Sequence, residues 1–218
     1  MTIPEAAQPF DKMAAEYDAW FEDSLLFELE LAALRSGATP CPRPRLEIGT
    51  GPGRFAAALN VDFGLDPASS PLHLARRRGI IPVRATGEEL PVRDRSMGTV
   101  YLLFTLCFLA DATAVFEECA RVLHRGGTMV TGFIPAGSPW GRHLAEKGER
   151  GHPMYRHARF RSVSETRELL GGTGLEPVEA WSTLYQAPSV NPVPEAPRPG
   201  ASEDAGFCVI FARKNGGP

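Results

Sequence analysis

The sequence predicts an α/β fold, a doubly wound and mostly parallel sheet with a helical cover at its N-terminal end. Three observations predict it. Short apolar strand-like runs alternate with amphipathic helix-like runs between residues 45 and 134. Such alternation builds a parallel sheet, because each crossover lays a helix on one face or the other. A glycine-rich turn, Gly49-Thr50-Gly51-Pro52-Gly53, joins the first strand of the series to its first helix. The third observation is bulk: 218 residues, 43% hydrophobic and 22% charged, suffice for a substantial core within a single domain.

The elements follow in order. In residues 10–35, Phe10, Met13, Ala14, Tyr17, Trp20 and Phe21 recur at three- and four-residue steps, which predicts one or two amphipathic helices. This cover is assigned to residues 1–40. Gly37 to Pro44, with three prolines, is a connector. Strands are expected at 45–48, 61–65 and 80–84, with helices at 54–59 and 70–78 between them. Pro71 falls in the first turn of the second helix, where its missing N–H costs nothing. The loop 85–95 leads to a doubly buried strand at 99–104. A helix at 112–123 carries Val115, Phe116, Cys119, Val122 and Leu123 on one side, and Gly126-Gly127 should end it before a strand at 128–134.

Past Pro135 the rhythm breaks. Residues 136–161 hold three histidines, five arginines, Trp140 and Tyr155. A helix at 164–170, capped by Ser162 or Ser164, and late strands at 175–185 and 207–213 complete seven strands. Pro188–Gly200 carries five prolines and should be an exposed loop.

The net charge of −3 gives no broad attraction to nucleic acid or an anionic membrane. Arg76-Arg77-Arg78 points in three directions on a helix and reads as a solvated face. Met1 to Asp23 has neither a basic nor an apolar leader region, and the apolar run Val100 to Ala110 is too short to span a bilayer as a helix. Cys41, Cys107, Cys119 and Cys208 lie far apart and read as reduced structural thiols. A cytoplasmic protein is expected. No metal site is expected, because His143, His152 and His157 lack ligand spacing.

The turn at 49–53 lets backbone approach a ligand, since glycine has no Cβ in the way. The helix behind it offers free N–H groups and a positive dipole end. A nucleotide-type ligand follows. A dinucleotide fingerprint asks for a third small residue where this chain has Arg54, and no Walker-type run exists.

Glu47-x-Gly49-x-Gly51-x-Gly53 resembles instead the first motif of class I S-adenosylmethionine-dependent methyltransferases. Asp66, in Gly64-Leu65-Asp66-Pro67, stands where these enzymes place an acid on the ribose hydroxyls. Thr86-Gly87-Glu88-Glu89-Leu90-Pro91 is similar to the loop that lies along the adenine. Arg121-Val122-Leu123-His124-Arg125-Gly126-Gly127 matches the turn before strand five, with Arg125 in place of the usual proline. The resemblance is strongest to the small-molecule branch that includes the ubiquinone and menaquinone enzymes. It implies a Rossmann-like methyltransferase fold, its last strand antiparallel, over the whole of residues 1–218. Residues 45–134 would be the cofactor-binding core, and 136–161 and 186–205 the lid and acceptor segments.

The resemblance also implies the site. Asp66 would accept from the ribose hydroxyls, or cap the helix that follows. Glu47 would face the methionine end and order the turn. Gly49, Gly51 and Gly53 would pass beneath the ligand. Gly87 and Glu88 would line the adenine edge, with Leu65 and Pro67 as walls. Phe104 and Thr105 would present backbone to the ammonium group. Tyr17, in Tyr17-Asp18-Ala19-Trp20, would reach the carboxylate end, or simply bury its ring in the cover.

Methyl transfer needs donor and acceptor held in line and water excluded. An amine acceptor needs no base before attack, whereas a hydroxyl or carbon acid does. The base candidates are His143, His152, Tyr155 and His157, and Arg142, Arg156 and Arg159 could meet an acceptor's anionic group. Nucleic-acid amino-methyltransferases carry Asn/Asp-Pro-Pro-Tyr/Phe after strand four; here the run is Phe104-Thr105-Leu106-Cys107. The expected activity is methyl transfer to a small molecule by a monomer or homodimer. The alternatives are a nucleotide-dependent oxidoreductase and a non-catalytic S-adenosylmethionine-binding protein.

Overall fold

A computed structural model describes residues 3–189 and 191–215. The outermost parts of the expected domain (Met1, Thr2 and 216–218), and Val190 in the 186–205 segment, lie outside the described residues.

The first five strands are β1 (Arg45–Ile48), β2 (Phe63–Asp66), β3 (Ile81–Arg84), β4 (Met97–Leu103) and β5 (Leu123–Phe133). They are followed by β6 (Leu175–Thr183), β7 (Arg198–Pro199) and β8 (Phe207–Lys214). One sheet holds them all in the order β3-β2-β1-β4-β5-β8-β6-β7. β1 pairs in parallel with β2 and β4, β2 with β3, and β4 with β5. β8 runs antiparallel to β5 and β6, as expected of the last strand. Every residue of β4 is buried, which explains the apolar run Val100–Leu103: helices cover both faces of a parallel sheet centre.

The sheet has one strand more than the seven expected. β7 comes from the proline-rich segment, where Arg198 pairs with Ser182 and Pro199 with Trp181. Proline is tolerated at such an edge because no ladder bond is asked of it there. The segment is also pinned: the Glu195 carboxylate accepts from Thr183 Oγ1 (3.0 Å), the Tyr185 amide (3.0 Å) and Gln186 Nε2 (3.1 Å).

The cover is three short helices, α1 (Gln8–Lys12), α2 (Ala14–Ala19) and α3 (Leu25–Arg35). Met13, at φ −113 and ψ 26, breaks the first from the second. α4 (Arg54–Ala58) and α5 (Ser69–Arg77) follow β1 and β2, and α6 (Ala112–Val122) follows β4. Segment 136–161 contains a regular helix that the broken rhythm hid, α7 (Pro139–Glu149). Ser138 caps it by accepting from the Gly141 amide at 2.9 Å, and Pro139 opens it. α8 (Val163–Gly172) starts with a reciprocal Ser162–Glu165 capping box. β5 begins at Leu123, earlier than expected, because Leu123 turns extended and pairs with Met97 while Gly126 takes φ +72 within the strand.

Two apolar layers sandwich the sheet. One includes Leu46, Ile48, Val115, Phe116, Cys119 and Leu170, and the other Leu29, Leu34, Phe55, Tyr101, Val209 and Phe211. All four cysteines are free. Among the described residues no helix is long and apolar enough to cross a membrane, and no group of three metal-binding side chains converges.

Candidate active site

From β1 the chain steps outward through β2 to β3, then returns to the other side of β1 as β4. The carboxyl ends of β1 and β4 therefore flank a switch point, where open α/β sheets bind ligands. A cavity of about 660 Å³ opens there, within the ordinary range for a small-molecule site.

Its floor is the turn after β1. Gly49 adopts φ +71 and its amide donates to the Leu65 carbonyl at 2.7 Å. A Cβ on Gly49 would collide with the Thr105 side chain, whose own Cβ would be 2.8 Å away. Gly51 adopts φ +51 and donates its amide to Asp66 Oδ2 at 2.9 Å. A Cβ there would meet nothing nearer than the Tyr17 ring, at 3.7 Å. The backbone of Gly51 thus lies bare under the cavity.

Gly53 differs from what was expected. It does not line the cavity; at φ +78 it faces α5, where a Cβ would stand 2.9 Å from that of Ala75. Its small size serves the close approach of α4 and α5.

Two buried acids stand beside the floor. Asp66 accepts from the Gly51 amide and, at 2.8 Å, from the Ala68 amide at the start of α5. It therefore caps and also lines the cavity, and burial raises its carboxyl to about 6 against the pull of those amides. Glu47 accepts from Thr50 Oγ1 at 2.8 Å, which ties the turn together, and burial pushes it up to about 8. Leu65, Pro67, Thr86, Gly87 and Glu88 run along one wall. Phe104 and Thr105 form the opposite wall. Phe104 takes φ +57, a strained conformation for a side-chain residue, held by ring stacking on Phe207 (4.8 Å) and a 2.8 Å bond from its amide to Gly132.

The cover forms the roof. Tyr17 lines the cavity at the centre of an aromatic cluster, 5.1 Å from Phe10 and 5.3 Å from both Trp20 and Phe21. Phe108 closes on Phe10 at 5.1 Å. Two carboxylates fasten the cover down. Asp11 accepts from the Ser70 amide at 2.8 Å, and Asp18 accepts from Arg54 Nε at 2.7 Å and Arg78 Nη2 at 2.8 Å. Arg78 is therefore not part of a solvated face, although Arg76 and Arg77 are exposed.

Of the base candidates, His157 alone lines the cavity; its Nε2 accepts from Arg156 Nε at 2.9 Å. Tyr155 sits just behind, half-buried, its phenol raised to about 12 by burial. His152 packs on Tyr155 at 4.7 Å, and burial lowers its pKa. His143 is exposed on α7 and does not line the cavity, because α7 turns Gly141, Leu144 and Gly148 inward instead. Arg142 and Arg159 likewise do not line it, and the Arg159 amide bonds to the Cys107 carbonyl at 2.7 Å, pinning the loop.

Sequence reasoning missed the aromatic half of the cavity, Phe10, Phe21, Phe55 and Phe108. Phe10 and Phe21 were visible as a helical stripe, but a stripe does not say whether it faces a core or a ligand.

The residues suit an adenosine carrying a charged tail. A bare glycine backbone gives close approach, an acid has lone pairs left for two neighbouring hydroxyls, and a second buried acid adjoins the turn. Comparison with known proteins agrees. Residues 46–131 match the model of the methyltransferase domain family. The chain is 43% identical to the Mycobacterium tuberculosis protein Rv2003c, over 91% of this chain and 71% of that protein. It is 33% identical to MJ1123 of Methanocaldococcus jannaschii, over 94% and 98%. A Thermotoga maritima crystal structure, described as a SAM-dependent methyltransferase and possible histamine N-methyltransferase, superposes with a TM-score of 0.89 at 31% identity. That match covers 96% of this chain and all of the other. With a glycine turn, a paired acid and a cavity of this shape at the switch point, the chain belongs to the S-adenosylmethionine-dependent methyltransferases.

Proposed function

We propose that this chain methylates a small molecule seated in the aromatic half of the cavity. The observation that carries this reading is continuity: one cavity reaches from Asp66 and Gly51 to Phe10, Tyr17 and Phe108. S-adenosylmethionine supplies an electrophilic methyl group on a sulfonium, which a nucleophile takes by in-line displacement. The protein's part is placement. Asp66 takes the ribose hydroxyls while holding the floor through Gly51, and Glu47 keeps the turn closed at the methionine end. Gly87 and Glu88 border the adenine, and Phe104 and Thr105 the ammonium group. Tyr17, with Phe10 and Phe108, excludes water and leaves the acceptor an apolar bay, so that orientation supplies most of the rate.

The description of the Thermotoga maritima neighbour favours an amine among the acceptor types. This reading takes the enzyme to be cytoplasmic. The test is incubation of a metabolite extract with methyl-labelled S-adenosylmethionine and identification of labelled products by mass. A labelled small product is expected. Label confined to macromolecules, or no product from protein that binds S-adenosylhomocysteine, would sink the reading.

A further inference from the structure

His157 lines the cavity half-buried, and the backbone around it fixes its place. Tyr155–His157 form a single 3₁₀ turn. The Arg156 amide donates to the His152 carbonyl at 3.0 Å, and the Ala158 amide to the Tyr155 carbonyl at 2.9 Å. The Arg159 amide, donating to the Cys107 carbonyl at 2.7 Å, ties this turn to the loop that carries Phe108. His157 and Phe108 therefore border the same, aromatic side of the cavity.

The state of the ring follows from its neighbour. Arg156 Nε donates to His157 Nε2 at 2.9 Å, and a guanidinium can only donate. Nε2 must then offer its lone pair, so the neutral imidazole carries its proton on Nδ1. Nδ1, across the ring, has no hydrogen-bond partner among the described residues. With Nε2 occupied and Nδ1 protonated, the ring has no lone pair left to take a proton. It is an N–H donor where the sequence offered a base.

The lining sets what such a donor can meet. Glu5, Glu47, Asp66 and Glu88 are acidic, and the guanidinium of Arg54 is already engaged by Asp18 and Glu22. An anionic group would be poorly received there. A neutral lone-pair atom fits, such as a ring nitrogen or a carbonyl or ether oxygen. It is not the atom that is methylated, because the nucleophile's lone pair must stay free to form the new bond to carbon.

We propose that His157 Nδ1–H donates to a second, neutral hydrogen-bond-accepting atom of the methyl acceptor, with Arg156 as the positioning residue that fixes the tautomer. The proposal rests on the small-molecule methyl-transfer reading and adds to it a specificity-determining residue.

Two measurements test it. Nitrogen NMR of the full chain with isotope-labelled histidines reads the tautomer without any acceptor. The His157 signals, assigned by their loss in His157→Asn, should show a protonated Nδ1 and a bare Nε2. Arg156→Ala should return the ring to a mixture of tautomers. A proton on Nε2 in the unsubstituted protein would overturn the proposal. Calorimetry on the chain saturated with S-adenosylhomocysteine then compares phenethylamine with the three aminoethylpyridines, which replace one ring CH by nitrogen. The buffer is weakly alkaline, so that the pyridine is unprotonated. At least one pyridine isomer should bind about fivefold more tightly than phenethylamine. H157F should lose that preference, whereas H157N, which keeps an N–H near the place of Nδ1, should retain it. Equal binding of the four, binding of none, or a preference that survives in H157F would overturn the proposal. The expected tautomer and preference, with no labelled product from the metabolite extract, would instead count against methyl transfer, which separates the two failures.

Discussion

Arg54 Nε donates to Asp18 Oδ1 across 2.7 Å, joining the roof of the cavity to the helix that starts directly behind its floor. The residue that spoils a dinucleotide fingerprint is therefore the clasp of the cover. Asp18 also takes Arg78 Nη2, so one carboxylate holds two guanidinium groups, its side chain only 13% exposed.

Asp18→Ala should cost about 2 kcal/mol, since it removes charge-assisted bonds from a partly buried site. For a chain of this size that is a fall of about 4–8 °C in Tm, with weaker S-adenosylhomocysteine binding as the cover loosens. Burial pushes the Asp18 carboxyl up, but the bonds from Arg54 and Arg78 outweigh it and hold the carboxyl below its ordinary 3.8. Its stabilisation is thus present above that pH and lost as acid is added. Denaturation followed from pH 6 downward should show a shallower acid limb in D18A.

Asp66 has the opposite sign. Its folded carboxyl sits at about 6, above the ordinary 3.8, so its contribution to folding is full below 3.8 and lost as pH rises through about 6. Cofactor binding should need the ionised form to accept hydroxyl donors. Affinity for S-adenosylhomocysteine should accordingly rise about tenfold between pH 5 and pH 7. D66N should bind about tenfold more weakly at pH 7 and show a flat profile by calorimetry. A profile unchanged by the substitution would remove Asp66 from the ribose.

Gly49→Ala and Gly51→Ala should fail differently. At 49 the new methyl strikes Thr105, and the protein should lose several degrees of Tm. At 51 it meets only the Tyr17 ring at 3.7 Å, so the cost is backbone strain of about 1 kcal/mol. There the main loss should be cofactor affinity, because the methyl occupies ligand space. Paired melting and binding measurements distinguish the two.

Tyr17→Phe keeps the ring contacts with Phe10, Trp20 and Phe21 and should leave Tm within about 1 °C. A several-fold loss of S-adenosylhomocysteine affinity or of turnover would show that the hydroxyl works at the ligand. Tyr17→Ala, which empties the centre of the aromatic roof, should lower Tm as well.

Much of the site was legible in the primary structure because its signals are local. Gly49 and Gly51 announce positive φ, and Asp66 follows a strand by a fixed offset, so these positions read without a partner in view. Gly53 read wrongly because a glycine that admits a ligand and one that admits a neighbouring helix look alike until Ala75 is placed beside it. α7 was hidden by Gly141 and Gly148, which break the helical pattern yet are required there: a Cβ at 148 would meet the Tyr155 carbonyl at 2.5 Å.

By itself the sequence determined the βαβ order and the ligand-binding turn, since hydrophobic period and glycine spacing are carried by neighbours along the chain, and the resemblance of its motifs to a known family implied the methyl donor. Only the tertiary structure decided which side chains of 136–161 reach the cavity and that Arg54 clasps Asp18. Those pairings join elements far apart in the chain. Packing against the sheet sets them, and no local period records the direction in which a side chain will point once its helix is docked.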